Sequence, residues 1–320
     1  MEQYESIDQV TVGVIGYGGA YNMGRTHLEN MQKVGMVPLA VTEIDEARLD
    51  IAKTDFPGIE TYTQLDEMLA KSSVNLIVII TPHNTHFELA EKCLKAGKHV
   101  VCEKPLAITT EECDRMIELA EENGVILSTF HNRHWDPFIV EAVERVNEEK
   151  VVGEVYRIDA RMGGYSCPGD WWRTSRSISG GILYDWGVHI LEYALQIIDD
   201  EVTEVSGFAK EGFWEEKTKW KGDCNEDVAN IVVRFKRGAR LNILISNLDS
   251  HMKSGFFEIV GTEGTYFFDN PGATNYTVIK GGNDDRSTVV AKHPETDPAH
   301  CYYQNIAGYL LGKEKLVVTG

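Results

Sequence analysis

The stretch "VTVGVIGYGGAYNMG", residues 10–24, decides the fold. Its first six residues are almost all β-branched, the pattern of a strand buried on both faces. Gly16, Gly18 and Gly19 follow, and "GRTHLENMQKV" then takes helical spacing. A glycine turn between a first strand and a helix lets backbone N–H groups approach a pyrophosphate at the helix N-terminus. Gly16 and Gly18 open a G-x-G-x-x-G pattern, but its third position is Tyr21. Gly24 comes three residues later, as though Tyr21 and Asn22 lengthened the turn. Gly16, Gly18, Gly19, Tyr21 and Asn22 are therefore candidate dinucleotide contacts.

Outward from this stretch the strand–helix rhythm repeats. "VPLAVTE", "NLIVIIT", "HVVCE" and "VILSTF" read as strands, with "DEARLDIAKTDF", "THFELAEKCLKAG" and "TTEECDRMIELAEENG" as helices. Apolar strands separated by helices imply a doubly wound parallel sheet covered on both faces. "TTEE" fits a capping box on Thr109 and Glu112. Gly97 and Gly124 stand where helix C-caps belong. The second strand ends at Glu43, placed to accept hydrogen bonds from ribose hydroxyls, and Asp45 caps the next helix. A carboxylate there repels a 2′-phosphate, and no Arg or Lys follows until Arg48, so NAD is expected over NADP.

After about residue 150 the rhythm changes. "GEVYRIDARMGG", "EVSGFAKEG", "VANIVVRF", "ARLNILISNL", "FFEIVG" and "GTYFF" read as strands joined by short turns such as "KRG", "GTEG" and "KGGNDDRS". Short links imply an antiparallel sheet. One helix, from about Ser179 to Ile198, interrupts them. The reading is an N-terminal dinucleotide-binding domain over residues 1–130 and a C-terminal α+β domain over 131–320, with the boundary near "HNRHWDP".

Composition narrows the class. The 320 residues carry 31 Lys and Arg against 50 Asp and Glu, a net charge of −19. That field repels nucleic acid and anionic membranes. No apolar run approaches the ~20 residues of a membrane-spanning helix, and "MEQYESIDQV" has no signal-peptide character. Six scattered cysteines read as reduced thiols in a cytoplasmic protein.

Two further stretches carry chemistry. In "VVCEKPLAIT", Glu103, Lys104 and Pro105 fall at the C-terminal end of a parallel strand, where open α/β sheets bind ligands. In "GGILYDWGVHILEY", residues 180–193, Asp185 and His189 sit one turn apart on a helix that otherwise reads as buried. Gly187 lies between them although glycine costs about 1 kcal/mol in a helix. Glu192 and Gln196 continue the polar stripe, which needs water, partners or a ligand cleft.

Together "VGVIGYGG", "IITPHNTH", "HVVCEKPLAIT", "NRHWDP", "WWR" and "GGILYDWGVH" resemble the Gfo/Idh/MocA oxidoreductases, which include inositol dehydrogenases and glucose–fructose oxidoreductase. The resemblance runs from about Val10 to Gly320. It implies a Rossmann domain and an α/β domain whose large, mainly antiparallel open sheet serves a homodimer or homotetramer. It also implies that Lys104 orients substrate near the nicotinamide and that Asp185 and His189 are the family's aspartate and proton-accepting histidine. Thr81, Pro82 and His86 of "TPHNTH" and Glu103 would line the cofactor, and Arg133, Trp172, Arg173 and His189 the substrate pocket. "NRHW" departs from the pattern, with His134 where many relatives have Arg. Relatives also continue with a helical segment beyond "KLVVTG".

The expected activity is hydride transfer between nicotinamide and a secondary alcohol of a sugar, cyclitol or sugar derivative, in a cleft between the domains. His189 would take the hydroxyl proton, Asp185 would hold the imidazole or bond substrate, and Lys104 would favour the developing oxyanion. Gly187 would allow close approach to the helix backbone. The alternatives are a catalytically silent nucleotide sensor, or an enzyme that retains NAD through transient oxidation during epimerisation or glycoside cleavage. The histidine pairs His83/His86 and His131/His134 lack a third ligand in sequence, so no metal is expected. Trp172 could pack against a sugar ring.

Overall fold

The computed structural model describes residues 4–19, 21–251, 255–281, 286–289 (by backbone) and 297–320. The centre of the expected "KGGNDDRS" turn, residues 282–285, lies outside them. The chain divides into two compact units, Met1–Asn132 with Asp297–Gly320, and Arg133–Thr296.

In the first unit the elements run β1 (Thr11–Ile15), α1 (Met23–Lys33), β2 (Val37–Thr42), α2 (Glu46–Asp55), β3 (Glu60–Tyr62), α3 (Leu65–Lys71), β4 (Leu76–Ile79), α4 (His86–Lys95), β5 (His99–Cys102), α5 (Thr110–Asn123) and β6 (Leu127–Thr129). The strands form one six-stranded sheet in the order β3-β2-β1-β4-β5-β6. Every pairing is parallel. The order reverses between β1 and β4, the switch point at which such sheets bind ligands. Ile15, Ile77, Ile79, Val100 and Cys102 pack with Leu94, Met116 and Leu119. Val12, Val14, Leu76, Val78 and Val101 are equally buried, as are Leu28 and Met31 of α1. Continuous apolar strands follow from this two-sided burial. The capping box on α5 is formed, and Gly124 ends it in the left-handed conformation at φ 63°.

His99, at the start of β5, is 6% exposed, and its Nδ1 accepts the Ile126 N–H at 3.1 Å. Burial pushes its pKa down to about 4. The unfolded chain therefore binds the extra proton first, so stability is held above the ordinary imidazole value and lost as pH falls through the folded one. The contribution is about 3 kcal/mol. His99→Asn, which keeps an acceptor for Ile126, is expected to flatten the urea-midpoint-versus-pH curve between about pH 4 and 6.5. An unchanged slope would refute the assignment.

The second unit holds α6 (Pro137–Val143), β7 (Val155–Gly163), α7 (Arg176–Ser179), α8 (Leu183–Ile197), β8 (Val202–Lys210), β9 (Val228–Phe235), β10 (Arg240–Ser246), β11 (Phe257–Gly261), β12 (Gly264–Phe268), β13 (Tyr276–Lys280) and β14 (Arg286–Val289). Its eight strands are ordered β14-β13-β12-β11-β7-β10-β9-β8. Among the described residues only the β7–β10 pair is parallel, and the rest are antiparallel. Ile158, Ala160, Leu241, Ile243 and Ile259 on one face pack against Phe138 and Ile139 of α6 and Ile190, Tyr193 and Ala194 of α8. The opposite face carries polar partners, among them Asn242 donating to Asp159 at 2.6 Å.

Two findings differ from the sequence reading. The helix expected from Ser179 is broken: Gly180 (φ +90°) and Gly181 (φ +131°) separate α7 from α8. A β-carbon on Gly181 would lie 3.0 Å from Glu226 Oε2, the oxygen that accepts the Ile182 N–H at 3.0 Å. The glycines thus admit a carboxylate to the N-terminus of α8. The chain after Asp297 belongs with the first unit, whereas the sequence reading extends the second domain to 320. It forms α9 (Pro298–Leu310), with Asp297 Oδ1 accepting the His300 N–H. Beyond α9, Thr319 O accepts the Thr129 N–H at the edge strand β6.

Candidate functional site

In the first unit the site begins where β1 ends. Gly16 has φ +99°, and a β-carbon there would stand 2.6 Å from the Ile80 carbonyl. Gly18 and Gly19 also have positive φ, with open space over Gly19. Asn22, left-handed at φ 40°, precedes α1 and turns its Oδ1 back to the Gly18 N–H at 2.9 Å. Tyr21 is exposed. Gly24 is buried in the first turn of α1, and a β-carbon on it would meet the Gly16 carbonyl at 2.6 Å and Tyr17 Cδ2 at 2.9 Å. Gly24 therefore supplies the close helix–strand packing that the third glycine of the motif normally provides. Gly24→Ala is expected to cost about 1–3 kcal/mol through overpacking. Thermal melting and NAD+ titration check this; wild-type values in both would refute it.

No acidic residue occupies the first turn of α1, so its N-terminal field stays favourable to an anion. Glu43, 7% exposed, accepts the Tyr17 N–H at 2.8 Å and the Asp45 N–H at 3.1 Å. A carboxylate retains lone pairs for ribose hydroxyls after these two bonds. Arg48, distant in the sequence reading, closes on the same carboxylate at 3.7 Å and on Asp45 at 3.4 Å. A strained glycine turn, a clear helix N-terminus and an acid at the end of β2 together fit a dinucleotide.

The loop after β4 is tied to the loop after β5 through His86. Its ring is fully buried, with Nδ1 2.8 Å from Pro105 O and Nε2 2.9 Å from Thr81 O. Burial lowers its pKa, and the neutral ring donates to one of these two carbonyls while its bare nitrogen rests against the other. His86 thus links the Thr81–Pro82 loop, expected to line the cofactor, to Pro105. Thr81 and Thr85 hydroxyls meet at 2.6 Å, and Thr85 donates onward to Pro82 O. Glu103 and Lys104 follow β5 directly, with the Lys104 N–H 3.2 Å from Glu103 Oε2. The Lys104–Pro105 peptide is cis.

In the second unit the structure brings Arg133, Trp186 and His189 together. The Arg133 guanidinium lies 4.7 Å from the Trp186 ring centre, and the indole meets His189 edge-on at 5.5 Å. His189 is 5% exposed, and Asp185 is half-buried in the first turn of α8. Asp136 Oδ2 accepts from Arg133 at 3.0 Å and from the Tyr193 hydroxyl at 2.6 Å. Burial raises the Asp136 pKa, opposed by those two partners. Glu192 takes His134 Nδ1 at 2.5 Å and the Gln196 amide at 2.9 Å. The lower half of the polar stripe on α8 therefore has protein partners, and the departure at His134 is matched by Glu192. At Gly187 a β-carbon would press only on Leu183, at 3.2 Å.

Trp172 and Arg173 form another group. The Arg173 guanidinium lies 5.0 Å from the ring of Trp171 and 4.9 Å from that of Trp172. The Asn225 amide donates to Arg173 O, and the Trp220 indole to Trp171 O. Among the described residues no cluster of three His, Cys, Asp or Glu is placed to hold a metal. The sequence reading missed His27, Asp136, Trp186, Tyr193 and Tyr303. Trp186 and Tyr193 share α8 with His189, a signal the helical spacing already carried.

Comparison with known proteins agrees with this geometry. Residues 10–131 match the family model described as "Oxidoreductase family, NAD-binding Rossmann fold", and residues 140–267 match the GFO/IDH/MocA C-terminal domain. The myo-inositol 2-dehydrogenase of Thermotoga maritima is 34% identical over 81% of this chain and 75% of its own length. The scyllo-inositol 2-dehydrogenase (NADP(+)) IolW of Bacillus subtilis is 31% identical over 60% of this chain, spanning 52%, about half, of its own length. An NAD-binding protein of Listeria innocua superposes with a TM-score of 0.81 at 26% identity, covering 97% of this chain and 89% of the other. The chain belongs to the Gfo/Idh/MocA family of oxidoreductases, with an NAD-binding Rossmann domain followed by the family's C-terminal domain.

Proposed function

We propose that the protein catalyses NAD-dependent dehydrogenation of a secondary alcohol on a cyclitol, sugar or sugar derivative. The observation that carries this reading is the His189 imidazole, buried on α8 against Trp186, with Asp185 one turn before it. Bound nicotinamide would supply the hydride acceptor. Gly16, Gly18, Gly19 and the N-terminus of α1 would hold its pyrophosphate, and Glu43 its adenosine ribose. His189 takes the hydroxyl proton as general base. Asp185 orients the imidazole or a substrate hydroxyl. Lys104 donates a hydrogen bond to the reacting oxygen and stabilises its developing negative charge. Arg133, held by Asp136, is fixed to bond a further hydroxyl, and Trp172 with Arg173 faces the substrate.

Names of relatives support this substrate class: inositol 2-dehydrogenases from two bacteria and a solved levoglucosan dehydrogenase. The test is NADH formation across a panel of inositols, aldoses and anhydrosugars. Turnover of none of them, with NAD+ bound, would overturn the substrate reading.

NAD is preferred over NADP in this reading because Glu43 keeps a buried negative charge at the ribose. Arg48 favours the second coenzyme by partly neutralising that charge. Glu43→Gln is therefore expected to raise the NADP+ to NAD+ ratio of kcat/KM about tenfold or more, the worth of one charge-assisted hydrogen bond. An unchanged ratio would remove Glu43 from coenzyme choice.

The open face of the second sheet supports homo-oligomerisation. Its edge strand β8 exposes Phe208, and Glu204 meets Arg234 on the same face. Light scattering in solution tests this. All six cysteines are free, which supports a reducing, cytoplasmic setting.

A further inference from the structure

Glu103 precedes the candidate catalytic Lys104, and its carboxylate is largely withdrawn from water, with 16% of the side chain exposed. A buried carboxylate is tolerated only when its lone pairs are bonded. Glu103 Oε1 stands 3.2 Å from His27 Nε2, and Oε2 accepts the Lys104 N–H. Burial alone would raise its pKa, but the hydrogen bond from His27 and the charge of Lys104 hold it below the ordinary carboxylate value.

His27 comes from α1 and is 1% exposed. Its other nitrogen, Nδ1, lies 2.6 Å from the hydroxyl of Tyr303 on α9. Phe130 meets the imidazole edge-on at 4.3 Å between ring centres. Tyr303 is fully buried, and burial pushes its phenol well above the usual value, so it stays protonated. The neighbouring Tyr302 anchors the helix in parallel. Its hydroxyl is 2.5 Å from Ser128 Oγ, which donates to Val318 O. Since the serine proton is committed there, Tyr302 is the donor to Ser128.

We propose that Tyr303 and His27 are positioning residues for Lys104: Tyr303 O–H donates to His27 Nδ1, His27 Nε2–H donates to Glu103, and Glu103 fixes the main chain at Lys104. α9, returning from a remote part of the sequence, thereby belongs to the catalytic apparatus. A histidine whose second nitrogen is fixed by a donor has one tautomer and one ring orientation. Misplacing a catalytic group by about 1 Å can cost up to about 10²-fold in rate. The proposal rests on the role given to Lys104 above.

The experiment separates the two. ¹⁵N NMR of the protein without substrate reads the His27 tautomer directly. The expected result is protonated Nε2 and bare Nδ1, with the single tautomer lost in Tyr303→Phe. Kinetics on the polyol selected by the panel reads function. Tyr303→Phe is expected to lower kcat about 3–10-fold and His27→Ala about 10–100-fold, with KM for NAD+ little changed. His27→Gln, keeping a donor, should recover part of the loss. In a Lys104→Ala background the His27→Ala loss should vanish, since one residue acts through the other. A protonated Nδ1 in wild type, wild-type kcat in both single variants, or a His27→Ala loss that adds in full to Lys104→Ala would each overturn the relay. Full activity of Lys104→Ala alone would instead overturn the role of Lys104 and the kinetic meaning of the relay, while the tautomer still reports its hydrogen bonds. Tyr303→Phe, one oxygen smaller, covers the case in which His27→Ala does not fold.

Discussion

His189→Ala is expected to lower kcat by about 10²–10⁴-fold, the range for removing a positioned general base. NAD+ affinity should stay within about twofold, because the substitution removes a group needed only as the hydroxyl proton departs. The imidazole is buried against Trp186, so truncation also leaves a small cavity costing a further ~1–3 kcal/mol of stability. A melting curve separates that loss from the chemical one. Lys104→Ala is the companion: in the proposed role it removes a donor to the developing oxyanion, and losing one such donor costs about 10²–10³-fold. Wild-type kcat in either variant, on a substrate that the parent protein oxidises, would refute the assigned role. The ordering matters too. If His189 is the base, its variant should lose the acid limb of the kcat–pH profile, whereas Lys104→Ala should keep it.

Much of this site was legible in residues 10–24 and 180–193 because glycine and charge announce themselves in apolar surroundings. Gly16, Gly18 and Glu43 take the positions that strand periodicity assigned to them, since a parallel strand fixes where its last residue points. Gly24 was visible as an extra glycine, but its purpose needed the carbonyl of Gly16 in place. Arg48 looked remote from Glu43 because sequence distance hides what one turn of α2 brings back. The break at Gly180 and Gly181 was written as two glycines, yet the apolar spacing on either side masked it. β3 and α3, of three and seven residues, are too short for periodicity to register. α9 had a readable start in Asp297-Pro298 and an apolar stripe at Tyr302, Tyr303, Ile306 and Leu310. What no local pattern carried was its destination, the His27 ring at the far end of the chain. The partners of Glu192 and Asp136 share this character. Each is a bond between segments about 57–58 residues apart, and only the packed fold makes them neighbours.

Asp136→Ala is expected to have the largest effect on stability, about 3 kcal/mol, by orphaning a fully buried hydroxyl and a guanidinium. Tyr193 is fully buried, and its O–H has Asp136 Oδ2 as acceptor at 2.6 Å. Arg133 keeps a third of its side chain in contact with water, so most of the loss belongs to the tyrosine. For a unit of this size the melting temperature should fall by about 6–12 °C. Asp136→Ala/Tyr193→Phe should recover part of it, because removing both partners leaves no buried donor without an acceptor. The pH dependence has a definite sign. Burial raises the folded pKa of Asp136 above its unfolded value. The native state then binds the proton more readily, so this carboxyl contributes most below the unfolded pKa and progressively less as pH rises through the folded one. The stability gap between wild type and Asp136→Ala should therefore widen on acidification through that window. A gap that narrows would mean that the bonds from Arg133 and Tyr193, which both favour the ionised carboxylate, outweigh burial. Function should follow, because Asp136 fixes the arginine that lies over Trp186, and Trp186 in turn holds the edge of His189. Loss of kcat by about tenfold in Asp136→Ala, with NAD+ affinity unchanged, is the expected mark of a base that has lost its orientation.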